Sequence, residues 1–572
     1  MSERVVGLFC QKTLYGVVGI FTIALTLRLW GITYGLPHEY ISDESFFVRH
    51  ALRFGTGDLN PHWFTYPTFF LYLLFFLYGL YFVVGFVLGI FHSLQDFATL
   101  YFLDPSAFYL IGRGAMAFIG ALTVLLLYGL GRRLYGQRSG LLAAFFLAST
   151  FLHVHNSHYI AAVDIPMTFF VLLSFYFLIR FWQEMLGRFY ILAGLCAGLA
   201  MANKYQAGLI VVPLVLVYLL QFPPPRRWRE VVWNRDLLGG FLAVAVGFLL
   251  GCPFAVLDFP TFWSYILGLY QQSKIGWLGW KTADTSPWIL LLTTWLRDGL
   301  GLPLEIASLC GVGWALYRHR REDILILSFL TVYYLVMGST RLSRDAYWLA
   351  IVPLVVLLAA RLLNELAEKL PLDRRVQTGL LGLLAVLIIF PSATRSVQFD
   401  QWLLRKDTRT LAKEWVEQNI PAKARIAMNR ESGPPLSQNR DGIMEEYRLQ
   451  MELSRLEEAG QTVEARSYKV VPSESAALKA EYYELLLRIP IAEPSYFVVR
   501  QSNVANKPLS YYLENAFDYL ITTDSKSYLA QASQYPHVAD FYRTLEQKYP
   551  RVATFYPGKD HPGPLVIIYK LR

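Results

Sequence analysis

Apolar runs of about 17–25 residues, each long enough to span a bilayer, recur through the first 395 residues of this 572-residue chain. Repeated runs of that length fit a bundle of membrane-spanning helices, because in lipid each run must satisfy its own backbone. The expected fold is a polytopic α-helical membrane domain, residues 1–395, followed by a polar domain, residues 396–572. Composition agrees: 55% of residues are hydrophobic and 17% charged, with a mean hydropathy of +0.35. Cys10, Cys196, Cys252 and Cys310 all lie in or beside apolar segments, which suggests neither a disulfide framework nor a CxxC metal site. The first run, Tyr15–Trp30, lacks a small-residue cleavage site and reads as a retained anchor. A net charge of +9 would point to nucleic acid in a soluble protein; here many Lys and Arg residues sit in short loops and set topology, so no nucleic-acid partner is expected.

The basic short loops are Arg132-Arg133…Arg138, Arg226-Arg227…Arg229, Arg318…Arg320-Arg321 and Arg374-Arg375. Read as cytoplasmic, together with an N-terminus carrying Arg4 and Lys12, they make the first helix exit to the outer face. Helices at about 108–130, 140–157, 165–183, 189–203, 205–221, 236–252, 301–317, 323–338, 346–363 and 377–393 then alternate, leaving 396–572 extracytoplasmic. The expected location is a plasma or inner membrane. Phe69–Phe91 is apolar enough to span, yet a single crossing there would invert every later loop. It is therefore re-entrant, interfacial or half of a hairpin, and the total is 11 or 13 helices.

This topology gathers charge at the outer edge. Asp43–Glu44 follow the first helix, Asp58 lies in the first outer loop (about 34–107), and Asp164 follows His155-Asn156-Ser157-His158. Arg28, Arg113, Lys204, Arg341 and Arg344 also fall there, against the inside-positive bias. Acids and bases at one interface suit a reaction on an anionic lipid head group. Ser42 fits an N-cap, with Asp43 and Glu44 in the first turn of an amphipathic helix that Gly55 and Gly57 end. The bland account is that the two acids only cap it. Arg113 reads equally as a snorkelling side chain or a phosphate ligand, and Asp164, just before Pro166, as a cap or a chemical group. Glu44, His62, His155 and His158 could be asked to hold a metal, but no closed zinc spacing is present, and interfacial packing explains the histidines as well. A divalent metal is left open; no other cofactor is implied.

The residues resemble the GT-C membrane glycosyltransferases, in the protein O-mannosyltransferase and aminoarabinose-transferase (ArnT-like) branch. The resemblance rests on Asp43–Glu44 after the first helix, Tyr66-Pro67, Gly112-Arg113 opening a helix that ends in Gly131-Arg132-Arg133-Leu134-Tyr135-Gly136, and Asp164-Ile165-Pro166. It continues with Gly198-Leu199-Ala200…Lys204-Tyr205, Arg344-Asp345-Ala346-Tyr347-Trp348…Pro353 and Asp407-Thr408-Arg409…Trp415…Asn419-Ile420-Pro421, and covers about residues 10–425. In two places the chain departs from the branch: Tyr66 stands where the aminoarabinose enzymes usually carry Lys, and the common Pro-Pro is Pro67-Thr68.

The resemblance implies an inverting hexosyl- or pentosyltransferase that moves a sugar from a polyprenyl-phosphate donor to a hydroxyl of a protein, lipid or glycan at the extracytoplasmic membrane face. In that reading Asp43 is the base and Glu44 orients the acceptor or a cation. Arg113, Lys204, Arg344 and Tyr66 contact the donor phosphate or sugar, Asp164 holds the sugar or a basic partner, and the aromatic, apolar wall of the membrane domain accepts the prenyl chain, with membrane lipids as further partners. Competing readings are a glycan polymerase or ligase of the same fold, a lipid-linked-sugar transporter, and a non-catalytic scaffold. The polar C-terminal domain alternates expected strands (Arg425–Met428, Tyr496–Val499, Asp518–Thr522, Leu565–Tyr569) with helices (Glu445–Glu458, Val538–Lys548), an α/β pattern.

Overall fold

The computed structural model describes all residues except 1–2, 222–232, 276–284, 342–343, 431, 459–475, 524, 526–528, 530–531 and 533–535. The basic loop at Arg226–Arg229 lies outside the described residues. Leaving out short turns, the membrane portion consists of α1 (Glu3–Leu29), α2 (Ser42–Arg53), α3 (Phe69–Val87), α4 (Leu94–Leu103), α5 (Ser106–Tyr135), α6 (Gln137–Ser149), α7 (Phe151–Asn156) and α8 (Asp164–Glu184). It continues with α9 (Gly187–Met201), α10 (Val211–Gln221), α11 (Arg235–Gly251), α12 (Phe259–Ile275), α13 (Leu302–Arg318), α14 (Arg321–Gly338), α15 (Val352–Glu368) and α16 (Arg374–Leu403). Among the described residues, four stretches are long and apolar enough to cross a membrane by length and composition: those starting at Phe69, Ser106, Asp164 and Arg374.

Small residues set the closest helix crossings. A Cβ on Gly194 or Gly198 of α9 would lie 2.3 or 2.1 Å from the backbone oxygens of Gly240 and Val244 in α11, so these helices touch backbone to backbone. Such spacing of glycines is how helices associate where lipid supplies no hydrophobic drive. The ends of α5 and α6 approach in the same way at Gly131 and Gly140, joined through Gly136 at φ 89°.

Length and apolarity qualify α3 as a span, but its contacts run across the bundle. The Phe69 N–H donates to the carbonyl of Ala202, just past α9, and the Thr68 hydroxyl donates to Gly251 at the end of α11. Nine residues on, the Tyr78 hydroxyl donates to the carbonyl of Phe108 in the first turn of α5. Under the charge-based topology these are all outer ends, so the first half of α3 lies over one end of the bundle, as an interfacial element does.

The C-terminal region comprises α17 (Thr408–Asn419), β1 (Arg425–Asn429), α18 (Arg440–Glu458), α19 (Ala476–Arg488), β2 (Phe497–Gln501), β3 (Tyr519–Thr523), α20 (Pro536–Lys548), β4 (Arg551–Phe555) and β5 (Val566–Lys570). They form a five-stranded sheet of order β2-β1-β3-β5-β4, parallel in its first three strands and antiparallel in the rest. One apolar layer joins Val499, Leu520, Ile567 and Tyr569 to Val538, Tyr542 and Leu545 of α20; the other joins Ile426, Val498 and Ile568 to Ala412 and Val416 of α17. Four of these strands lie within two residues of the expected ones; β4 was missed.

Candidate active site at the end of the bundle

After α1 the chain turns back through Gly31 and Gly35, both at positive φ, and enters α2 at Ser42. The cap position does not fall at Ser42 as expected: the helix begins with that residue, and Ile41 precedes it at the cap without a side-chain bond. Asp43 and Glu44 therefore both lie in the first turn, about 100° apart around the axis, and face different surroundings. Asp43 is exposed, whereas Glu44 is fully buried.

Glu44 and Arg113 satisfy each other. Arg113 Nη2 donates to Glu44 Oε2 at 2.6 Å and Nε to Oε1 at 3.1 Å, and the Ile160 backbone N–H donates to Oε1 at 2.8 Å. Arg113 Nη1 donates to the carbonyls of Ile32 and Tyr34, each at 2.8 Å. With all three guanidinium nitrogens engaged and only 2% of the residue exposed, Arg113 has no nitrogen turned toward a substrate phosphate. The direct phosphate contact expected of it gives way to a positioning contact: it fastens the Asp43–Glu44 helix to the loop before it.

A second buried pair lies alongside. Lys204 Nζ is 2.6 Å from both oxygens of Asp164, and the same nitrogen stands 4.1 Å from the Tyr347 ring centre. Asp164 opens α8 and Lys204 follows α9, so two helix ends meet here. Tyr66 is close enough to interact electrostatically with Asp43, Asp164, Tyr347 and Arg344, and packs its ring 5.3 Å from Phe47 of α2. Arg344 is exposed, on the extended residue before the short turn Asp345–Trp348. The structure thus brings Asp43, Tyr66, Asp164, Lys204 and Arg344 near one another, and adds Tyr347, which sequence reading had quoted only as part of a motif.

The metal candidates do not converge, and among the described residues no group of three or more His, Cys, Asp or Glu could hold an ion. Glu44 is consumed by Arg113. His62 pairs with Asp58 at 2.9 Å on the surface; there the Asn60 backbone N–H and the His62 ring hold the Asp58 carboxyl below its usual range. His155 is boxed by Phe151, Tyr159 and Phe399. His158 is buried against the carbonyls of Trp30 and Val154, with Asp400 at 3.3 Å. Arg28 also turns inward, to the carbonyls of Ala24 and Ala148 and to His153. Asp400 was missed; its signal was a lone carboxylate on a long apolar helix.

The α17 start docks directly onto the loop that presents Asp43. Tyr34 donates its hydroxyl to Asp407 Oδ2 at 2.6 Å, and Arg409 donates Nε to Asp407 Oδ1 at 2.8 Å. Arg409 Nη1 donates to the Tyr40 carbonyl at 2.7 Å, with its guanidinium 4.0 Å from the Tyr40 ring centre. Opposite, the Thr408 hydroxyl donates to the Pro564 carbonyl beside Gly563, whose φ of 108° and lack of Cβ let the chain close on Asp407. An unbroken line of polar contacts runs from Glu44 through Arg113, Tyr34 and Asp407 to Arg409.

Comparison with known proteins gives the same picture. Residues 111–250 match the family model for dolichyl-phosphate-mannose-protein mannosyltransferase. The chain is 31% identical over 286 residues to the undecaprenyl phosphate-α-4-amino-4-deoxy-L-arabinose arabinosyl transferase of Pseudomonas aeruginosa (strain UCBPP-PA14), covering 47% of this chain and 49% of that protein. It spans about half the length of the curated relatives it matches. Among solved structures, ArnT from Cupriavidus metallidurans in the apo state superposes with a TM-score of 0.51 at 14% identity, covering 97% of this chain and 98% of that one. The Archaeoglobus fulgidus oligosaccharyltransferase in the apo form gives 0.51 at 13% identity, covering 97% and 76%. The chain has the fold of the GT-C membrane glycosyltransferases, and its sequence likeness within that fold is to the protein-mannosyltransferase and aminoarabinose-transferase branch.

Proposed function

We propose that this protein transfers a sugar from a polyprenyl-phosphate donor to an acceptor hydroxyl at the outer membrane face, with inversion at the anomeric carbon. The carrying observation is that an exposed carboxylate, Asp43, stands near Tyr66, Tyr347, the Lys204–Asp164 pair and Arg344.

In this reading Asp43 takes the proton of the acceptor hydroxyl as that oxygen bonds to the anomeric carbon. The bond from that carbon to the phosphate oxygen breaks on the opposite side, and polyprenyl phosphate leaves with the electron pair. Lys204 and Arg344 balance the charge that develops on the phosphate, and Asp164 holds Lys204 in place. Glu44 and Arg113 act on Asp43 only through the helix they anchor. The topology that goes with it has 11 crossings, with α3 interfacial and residues from about 396 onward extracytoplasmic.

The test is release of polyprenyl phosphate by the detergent-purified protein from a panel of undecaprenyl-phosphate-linked pentoses and hexoses, supplied with lipid, peptide and glycan acceptors. One donor should be consumed by the wild type and not by Asp43→Asn. No consumption of any donor, or equal consumption by both proteins, would refute the assignment. An oligosaccharide accepted only from a pyrophosphate carrier would favour the polymerase or ligase reading.

A further inference from the structure

Three helix C-termini supply acceptors to two buried side chains: α1 ends at Leu29, α6 at Ser149 and α7 at Asn156. Arg28, fully enclosed, donates to the carbonyls of Ala24 in α1 and of Leu147 and Ala148 in α6. His158, only 2% exposed, places Nε2 2.9 Å from the Trp30 carbonyl and Nδ1 2.9 Å from that of Val154. A neutral imidazole has one donor and one acceptor nitrogen, and a carbonyl never donates. A carbonyl on each ring nitrogen therefore requires both nitrogens to carry hydrogen, which makes the ring an imidazolium.

A counter-charge lies beside it. Asp400 of α16 is fully enclosed, with Oδ1 3.3 Å from His158 Nε2, and neither of its oxygens makes a hydrogen bond among the described residues. A buried carboxylate so placed is costly unless a cation faces it. Burial opposes the charge on His158, as do the guanidiniums of Arg28 and Arg113. Arg113 is already matched by Glu44, and helix C-termini favour cations. His153 accepts from Arg28 through Nδ1 and so stays neutral, while His155 stacks on Phe151, Tyr159 and Phe399. Two carbonyls and a carboxylate on one ring outweigh the opposing terms.

The ring fastens a turn that serves both site pairs. Two residues on, the Ile160 N–H donates to Glu44 Oε1 at 2.8 Å; at the turn's end Asp164 holds Lys204 at 2.6 Å. We infer that His158 is a positioning residue of the transfer centre, on the reading that Asp43 is the base: a buried imidazolium, paired with Asp400, that fixes the turn carrying Ile160 and Asp164 to α1 and α16.

The proton is read without any transfer. The full chain in nanodiscs, isotope-labelled in its ten histidine rings, is examined by nitrogen NMR. At about pH 8 an ordinary histidine, with a pKa of about 6.5, is neutral. One ring with both nitrogens protonated is expected in the wild type and in neither His158→Asn nor Asp400→Asn, the second of which keeps the ring. Neutral rings throughout the wild type would overturn the proposal, since the proton would then lie on Asp400 or be absent. Positioning is read from turnover: each folded variant should lower kcat by about 10-fold or more, with the donor KM within about twofold of wild type. Wild-type kcat in either would overturn the role. A wild type that consumes no donor sinks the transfer reading by itself. Amide exchange then decides: residues 43–47 should exchange at least about 10-fold faster in Asp400→Asn, and unchanged exchange would overturn the positioning role.

Discussion

Arg113 binds Glu44 on one side and the carbonyl of Tyr34 on the other, so a single buried guanidinium joins the acid-bearing helix to the loop before it. Removing one partner of a buried ion pair strands the other, at a cost of about 3–5 kcal/mol. Arg113→Ala should therefore lower the thermal unfolding midpoint markedly in detergent. The double substitution Glu44→Gln, Arg113→Met should be milder than Arg113→Ala, because it strands no charge. If Arg113→Ala unfolds like the wild type and only raises the KM for the donor, the arginine is a phosphate ligand and the positioning role is wrong.

Asp43 differs from its neighbour in being exposed and in having no burial cost to recover. Asp43→Asn should leave stability within about 0.5 kcal/mol of the wild type. As the proposed base it should lower kcat by about 10²- to 10⁴-fold with the donor KM unchanged. Measuring unfolding and turnover on the same preparation checks both parts, and substantial turnover would remove Asp43 from the chemistry.

Lys204 is pinned by both oxygens of Asp164, with Tyr347 beside the same nitrogen. Lys204→Met should raise the donor KM by about 10-fold or more, in line with about 1.5–3 kcal/mol for a hydrogen bond to a charged group. Asp164→Asn keeps the cation but loosens its hold, so its effect should fall mainly on kcat. Lys204→Arg should not restore the wild-type KM, because the site is only 7% exposed and shaped to a slim ammonium. Steady-state kinetics over donor concentration separates these outcomes.

Much of this architecture was legible along the chain because it depends on local patterns. Apolar runs and basic loops marked the helices of the bundle, and short apolar runs marked β1, β2, β3 and β5. The edge strand β4, Arg-Val-Ala-Thr-Phe, has its first two residues exposed and none fully buried, so no apolar run marked it. Apolarity alone does not distinguish an interfacial α3 from a crossing one, since both bury the same kind of side chain. The pairings inside the site were not legible either. Glu44 and Arg113 are 69 residues apart, and Tyr34 and Asp407 are 373 apart. Only packing decides whether a cation at a helix end turns to substrate or to a buried carboxylate.

The contact of Tyr34 and Arg409 with Asp407 places the start of the C-terminal region on the loop that leads into the Asp43 helix. Tyr34→Phe removes the hydroxyl's bond to Asp407 and the one it accepts from Arg409 Nη2, both partly buried and worth about 1 kcal/mol each. Arg409→Gln removes a stacked guanidinium and several bonds, and should do more. Both should raise amide exchange over residues 32–41 and lower kcat, while donor affinity in a binding assay stays within about twofold, well under the tenfold that 1.4 kcal/mol represents. Unchanged exchange in Arg409→Gln would show that the loop holds its place without the C-terminal region.

His38 makes the same junction sensitive to pH. Burial, reinforced by Lys413, pushes its imidazole down from 6.5 to about 4. The docked loop therefore keeps His38 neutral where an undocked loop takes up a proton. Below an undocked value near 6.5 the open form binds more protons, so docking weakens as the pH falls toward about 4 and is fully present above 6.5. Amide exchange across residues 32–41, corrected for the intrinsic pH dependence of exchange, should lose protection between pH 7 and pH 5 in the wild type. His38→Asn cannot take up that proton and should keep its protection over the same range. If both proteins lose protection equally, another group governs the junction.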